Sequence, residues 1–220
     1  MNKKMQPYNK VLAVLSAAAA FCVTTQAGIV YNNSTTSLGS FYQSTNEFGD
    51  QIQLDATSTD RVITTVDFEY YLSHNANGNE RAELRIYNNA IPNSASPTAI
   101  GTLIYDSGMN PITAGYNQYF VSGLGLNVST DISWTVQFSG IETGESAGLL
   151  WYNPPTVGSS LDDFWEKTSS GWTLKRLSPS GGPIANFGAQ ITAIPEPSTV
   201  QFAIMSGMAL LGMATYRRRK

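Results

Sequence analysis

The chain has 220 residues and a formal net charge of −3, but seven of its 13 basic residues lie within the first ten and the last four positions. Residues 28–193 therefore hold six basic and fifteen acidic side chains, which gives this region a net charge of −9. Because an acidic surface repels phosphate backbones and anionic lipids, nucleic-acid binding is excluded as a main role.

The first 27 residues have the three-part pattern of a secretory signal peptide. Basic residues within positions 1–10 precede an apolar run at 11–23, and a short polar stretch ends on the small residue Ala27. The alternative is an uncleaved anchor, but about 13 apolar residues fall short of the roughly 20 that span a bilayer. We therefore expect signal peptidase to cleave after Ala27. Cys22 lies in this segment and is the only cysteine, so the mature chain would have no disulfide.

Residues 28–193 predict an all-β domain, because apolar and polar side chains alternate over short stretches between turn-forming clusters. The alternation is clearest at 62–72, where Val62, Thr64, Val66, Phe68, Tyr70 and Leu72 would share one face. It recurs at 132–138, where Ile132, Trp134, Val136 and Phe138 alternate with polar residues. The other predicted strands are residues 28–31, 51–54, 82–87, 101–106, 118–122, 148–152, 172–177 and 187–193.

About nine or ten short strands without intervening helices favour an antiparallel two-sheet β-sandwich, jelly-roll-like in type, over a parallel α/β fold. Turn clusters separate the strands at residues 75–79, 92–94, 108–115 and 178–183. No repeat of fixed period is present, which argues against a solenoid or a propeller. The pairing of the strands is not predicted by this pattern.

Two carboxylates in the predicted strand at 62–72 are the basis for the alternative that the protein is an enzyme. Asp67 and Glu69 would lie on one strand face, roughly 6.6 to 7 Å apart, a separation that suits the acid pair of a glycosidase. Charged residues on the solvent face of a sheet produce the same pattern without catalysis, and we predict no catalytic residue. His74, the single histidine, lies in a turn-rich stretch and is expected to be a solvated loop residue.

No cofactor is predicted, although Ca²⁺ is a weaker alternative because it needs only oxygen ligands. Asn75, Asn77, Asn79 and Glu80 cluster with a glycine, and Asp162 and Asp163 stand together farther along. The first cluster contains no aspartate, so a turn explains it better than a calcium loop.

Tryptophans supply a candidate platform for sugars, since flat rings stack on pyranose faces. Trp134 lies on the apolar side of its predicted strand and is expected in the core. Trp151, Trp165 and Trp172 are freer to form such a platform.

Residues 194–220 form a separate three-part segment. Pro195, Glu196 and Pro197 end the last strand, because prolines cannot continue a ladder. Residues 198–216 carry no charge and would give about 28 Å of helix, enough for a thin bilayer. The basic run Arg217, Arg218, Arg219 and Lys220 would hold the C-terminus of this helix on the cytoplasmic side.

This tail resembles the PEP-CTERM sorting signal of Gram-negative bacteria in its Pro-Glu-Pro triplet, helix and basic run, in that order. The resemblance covers about the last 26 residues. It implies recognition by exosortase, a membrane cysteine protease, with Pro195, Glu196 and Pro197 as the recognised residues. It also implies an association with exopolysaccharide and biofilm. The alternative is a plain membrane anchor that nothing cuts.

The sequence thus predicts an exported, non-catalytic protein with a signal peptide (1–27), a β-sandwich (28–193) and a sorting tail (194–220). Its expected partners are signal peptidase and exosortase, the membrane before processing, and polysaccharide. Its expected place is the cell surface or the extracellular matrix, after a transient stay in the inner membrane. A carbohydrate-binding module for matrix polysaccharide is the first alternative, and a glycosidase or polysaccharide lyase is the second.

Overall fold

A computed structural model describes residues 26–89, 100–176 and 186–196, and from residue 27 onward these belong to one compact unit, Ala27–Glu196. The expected signal peptide up to residue 25, Pro197, the helix at 198–216 and the basic run at 217–220 lie outside the described residues. No described segment forms a helix long and apolar enough to cross a membrane.

The described residues are all-β and form two sheets whose strand pairs are all antiparallel, as the alternation predicted. The first sheet contains β1 (Gly28–Asn32), β2 (Ser37–Gln43), β4 (Asp60–Leu72), β8 (Gly115–Asn127), β10 (Ala147–Tyr152), β13 (Asn186–Phe187) and β14 (Ala189–Pro195). The second contains β3 (Phe48–Gln53), β5 (Arg81–Asn88), β6 (Thr102–Asp106), β7 (Asn110–Pro111), β9 (Asp131–Ser139), β11 (Ser159–Thr168) and β12 (Gly171–Lys175).

Strand β4 organises the first sheet. It pairs with β8 along one edge, and with β14 and then β10 along the other. Strand β1 pairs with β14, so the first and last described strands are neighbours, with Gly28 opposite Ala193. In the second sheet the order is β12, β11, β3, β9, β5 and β6.

One hydrophobic core lies between the inner faces of the two sheets. Trp134 of β9 is fully buried at its centre, 5.9 Å between ring centroids from Phe68 of β4 and 6.4 Å from Phe187 of β13. Phe48 and Phe164 of the second sheet also pack against Phe187, at 5.6 and 5.4 Å. The expectation that Trp134 is a core residue is confirmed.

A β-bulge changes the predicted faces at the start of β4. Val66, Phe68, Tyr70 and Leu72 are buried in the core as predicted. The register with β8 and β14 shifts near Ile63 and Thr65, so Ile63 enters the core in place of the expected Val62 and Thr64. An extra residue in one strand shifts the alternation by one position, so that the side chains beyond it change faces. The alternation of apolar and polar residues does not reveal the position of such a bulge.

The polar cluster around Glu166 joins the β11–β12 hairpin to β2 and to the segment between β2 and β3. Its carboxylate accepts hydrogen bonds from Lys175, Ser44, Asn46 and Tyr42, the last two at 3.1 and 3.0 Å. Burial acts to raise the pKa of Glu166, but these donors outweigh it and lower the pKa from an ordinary value of 4.5 to about 2. The charged form of Glu166 therefore stabilises the fold.

Replacing Trp134 with alanine should reduce the free energy of unfolding by about 3–5 kcal/mol, because a large cavity would open between the sheets. Urea denaturation of the purified protein measures this loss. Tyr116→Ala removes a ring that is 69 % exposed and should change stability little. Equal effects of the two substitutions would contradict the assignment of the core.

The contribution of Glu166 should depend on pH in a defined window. The pKa of Glu166 is lower in the folded protein than in the unfolded chain, so ionised Glu166 stabilises the folded state at pH values above about 4.5. This stabilisation is lost as the pH falls from about 4.5 to about 2. We expect wild type to lose more stability over this window than Glu166→Gln in denaturation at several pH values. Glu142→Gln makes the same exchange at an exposed position and should follow wild type. Parallel curves for Glu166→Gln and wild type would contradict this role.

Candidate functional site

The outer face of the first sheet carries a row of aromatic side chains that runs across its strands. Phe41 of β2 lies 4.8 Å from Tyr71 of β4, and Tyr71 lies 4.8 Å from Tyr116 of β8, between ring centroids. Tyr71 and Tyr116 are also cross-strand partners in the β4–β8 ladder. Since Phe68, Tyr70 and Leu72 fill the core, Tyr71 points to the opposite face.

Strand β8 extends this surface with side chains at alternate positions. Tyr116, Gln118 and Phe120 are exposed, with 69 % of Tyr116 and 62 % of Phe120 accessible to solvent. The intervening Tyr119 turns inward and stacks on Phe68 at 4.9 Å. Large rings that stay exposed on a well-packed sheet are a feature of interaction surfaces.

Two glycines make room for rings on this face. A Cβ at Gly148 would lie 2.1 Å from the carbonyl oxygen of Tyr42 and 2.8 Å from the Phe41 ring, so a side chain there would displace the start of the row. A Cβ at Gly188 would lie 2.6 Å from the Tyr152 ring. The ring of Tyr152 can therefore lie over Gly188, and its hydroxyl reaches Glu69.

The predicted carboxylate pair lies among these rings, on the same strand face. The Gln118 amide donates to Asp67 at 2.8 Å, and the Tyr152 hydroxyl donates to Glu69 at 2.5 Å. Burial raises the pKa of Asp67, an effect that the Gln118 hydrogen bond reduces and the Glu69 charge increases. Burial and the bond to Glu69 raise the pKa of Tyr152 to about 12, so this phenol remains a donor. Both carboxylates are thus held in place as oriented acceptors.

We call this surface the aromatic face and define it by four rings, Phe41, Tyr71, Tyr116 and Phe120, and four polar side chains, Asp67, Glu69, Gln118 and Tyr152. None of these eight side chains is basic. Five of the domain's six basic residues lie in strands of the second sheet or next to one, namely Arg81, Arg85, Lys167, Lys175 and Arg176. The sixth, Arg61, lies at the other end of β4 and donates to the backbone oxygens of Asp55 and Asp60. The aromatic face is therefore negatively charged.

The three tryptophans of the expected sugar platform lie in two different places. Trp165 and Trp172 belong to a small cluster with Tyr87 in the second sheet, where Trp172 meets Tyr87 edge-on at 5.8 Å. Trp151 lies in β10 of the first sheet and packs against the main core. Trp165 is only 2 % exposed, so its ring is enclosed by protein.

A buried ion cluster covers part of the outer face of the second sheet. Glu47 accepts hydrogen bonds from Tyr87 and Thr135, both at 2.7 Å, and pairs with Arg85 at 2.8 Å. Burial and the Glu47 contact raise the pKa of Tyr87. Thr135 and Ser133 were expected on a polar face, and both are fully buried.

The loop considered for Ca²⁺ is held by its own carboxylate. Glu80 accepts hydrogen bonds from the backbone amides of Asn77 and Gly78 at 2.7 and 2.8 Å, which closes the turn. Asp163 is buried beside Asp50 in the second sheet. Among the described residues, no group of three or more His, Cys, Asp or Glu side chains could hold a metal ion. His74 is exposed in the turn after β4, as expected.

The expected processing sites border the folded unit. Ala27 is exposed and directly precedes β1, and Glu196 is exposed directly after β14. The last strand continues two residues beyond the predicted 187–193, because Pro195 still pairs with Asp60. A terminal position in a strand tolerates proline, whose missing N–H is then not needed by the ladder.

Comparisons with protein-family models, with curated proteins and with solved structures found no match.

Two substitutions next to Asp67 should shift its pKa in opposite directions. Gln118→Ala removes a donor to the charged form and should raise the pKa of Asp67 further, whereas Glu69→Gln removes a neighbouring negative charge and should lower it. NMR titration of the side-chain carboxyl carbons measures both changes. Asp55, which accepts hydrogen bonds from Thr57, is an internal reference that neither substitution should affect. Shifts of the same sign would contradict the described contacts.

Proposed function

We propose that this chain is an exported, non-catalytic protein of the cell surface or extracellular matrix, sorted through its C-terminal tail by an exosortase. The observation that carries the proposal is the fit between the folded unit and the two targeting segments. Strand β1 begins at Gly28, one residue after the expected signal cleavage, and β14 ends at Pro195, the first residue of the Pro-Glu-Pro triplet. Removal of residues 1–27 and of the chain after Pro195 would leave all fourteen described strands intact.

The tail supplies a physical route for sorting. An uncharged helix at 198–216 would stop the chain in the bilayer, and the basic residues 217–220 would fix its orientation. Glu196 and Pro197 would follow the last strand directly, in reach of a membrane protease. In this proposal the triplet is a substrate for signal processing, and the domain would pass from the inner membrane to the surface or to a biofilm matrix.

A non-catalytic role agrees with the state of the two carboxylates. Asp67 is only 5 % exposed, and each carboxylate already accepts a hydrogen bond from a neighbouring side chain. Both lie on a sheet face among aromatic rings. A glycosidase needs two carboxyl groups that both reach the scissile bond of a bound sugar, and Asp67 is enclosed by its neighbours.

The second candidate function, a carbohydrate-binding module for matrix polysaccharide, is favoured by the aromatic face. Exposed rings next to oriented hydrogen-bonding groups are the two elements that sugar recognition needs. We propose that the two sheets are connected as in a jelly roll, a fold that is also found in sugar-binding lectin domains.

The sorting proposal is tested in the native host by intact mass and cell fractionation. Wild type should lose residues 1–27 and the C-terminal helix and leave the inner membrane. The combined substitution Pro195→Ala, Glu196→Ala and Pro197→Ala should keep the helix and remain in the inner membrane.

Two controls make this result interpretable. Pro92→Ala with Pro97→Ala changes two prolines outside the tail and should be processed like wild type. Thermal unfolding of the triple variant shows whether loss of Pro195 from β14 affects the domain. If wild type keeps all residues through Lys220 in the inner membrane, the tail is a plain anchor and the proposal fails.

A further inference from the structure

We propose that the aromatic face binds a segment of non-acidic polysaccharide, lying across strands β2, β10, β4 and β8. The proposal rests on the proposed matrix location, which supplies such chains, and it names the site and the class of ligand. Neither the tryptophan platform expected from the sequence nor any basic patch contributes to it.

The rings provide several stacking positions on one surface. Phe41, Tyr71 and Tyr116 follow one another at 4.8 Å intervals across the sheet, and Phe120 lies farther along β8 on the same side. A pyranose ring presents C–H groups on its face, and these groups pack on the electron-rich face of an aromatic ring. Four rings on one surface can therefore contact several sugar units of one chain.

The polar side chains provide acceptors and donors at fixed places between the rings. Glu69 is oriented by the Tyr152 hydroxyl and has further lone pairs for sugar hydroxyl groups, whereas Asp67, only 5 % exposed, holds the Gln118 amide in place. Gln118 lies between Tyr116 and Phe120 on β8 and is exposed. Its carbonyl oxygen remains free to accept a hydrogen bond while its amide holds Asp67. A few polar groups at fixed positions on an otherwise apolar surface determine the orientation of a bound ligand.

The charge of the face selects against other occupants. Anionic lipid and acidic polysaccharide would bring negative groups toward Asp67 and Glu69, without a basic side chain of the aromatic face to pair them. A second copy docked by the same face would oppose the same carboxylates across a symmetric interface. Neutral or amino-bearing sugars meet no such repulsion.

The test is retention of the purified full-length chain on four insoluble polysaccharides, in a detergent without a sugar headgroup. Cellulose and curdlan are neutral, chitosan carries amino groups, and calcium alginate carries carboxylates. We expect binding to at least one of the first three and none to alginate. Binding to a neutral chain should persist at high salt, because ring contacts are not screened.

The variant Tyr116→Ala with Phe120→Ala should weaken retention at least about tenfold, since two stacking rings are lost. Both rings are more than half exposed, so the variant should unfold at the same temperature as wild type. The matched control is Leu103→Ala with Met109→Ala, which removes two other apolar side chains, 46 % and 44 % exposed, elsewhere on the domain. It should bind like wild type.

Three results would overturn the proposal: retention on none of the non-acidic polysaccharides, equal retention of the double variant and wild type, or equal retention on alginate. Binding only to chitosan that is lost at high salt would also overturn the proposal, because electrostatic attraction alone would then explain the binding. Each result is independent of sorting, which is read from the mass of the chain in its host. A failure of either proposal is therefore distinguishable from a failure of the other.

Discussion

The contact of Trp134 with rings of the opposite sheet is the interaction on which the rest of the structure depends. Residues 28–193 contain no cysteine, so no disulfide can join the two sheets. Their association relies mainly on apolar side chains, and Trp134 meets Phe68 and Phe187 where the inner faces approach. A core built this way leaves both outer faces available for other purposes.

The two outer faces differ in chemistry. On the second sheet, Glu47, Arg85, Tyr87 and Trp165 cover part of the outer face, and these groups are largely buried. On the first sheet, Tyr116 and Phe120 remain open to solvent. Aromatic side chains on the outer face of the second sheet are therefore packed within the protein, whereas those on the outer face of the first sheet are exposed to solvent.

Long uninterrupted alternation made part of the fold predictable. Strand β9 follows the expected pattern throughout, and β4 follows it from Val66 onward, because each inward position of these stretches is apolar. Strand β2 was not predicted, since its many small and polar residues carry no clear period. Strand β11 was also missed, because its register shifts between Ser160 and Phe164 and breaks the alternation. Bulges depend on partner strands, which a single stretch of sequence does not contain.

The candidate site was predicted only in part, for a related reason. Asp67 and Glu69 were correctly placed on one strand face, since two residues apart is a local relation. Tyr116 and Phe120 alternate with Gln118 in the same way, but their meaning depends on the neighbouring strand, where Tyr71 completes the row. Trp165 was misjudged as a free ring because residue type does not tell which surface the protein itself covers.

The adjacency of β14 and β4 has a mechanical consequence. A protein attached through the residues that follow β14 and loaded through the aromatic face would transmit force from β14 to β4 and then to β8, all in one sheet. A pull along β14 stretches the pairs from Ala189 opposite Phe68 to Pro195 opposite Asp60 together, in shear. Many hydrogen bonds would then share the load, whereas peeling would break them one at a time. The second sheet would bear little of this tension.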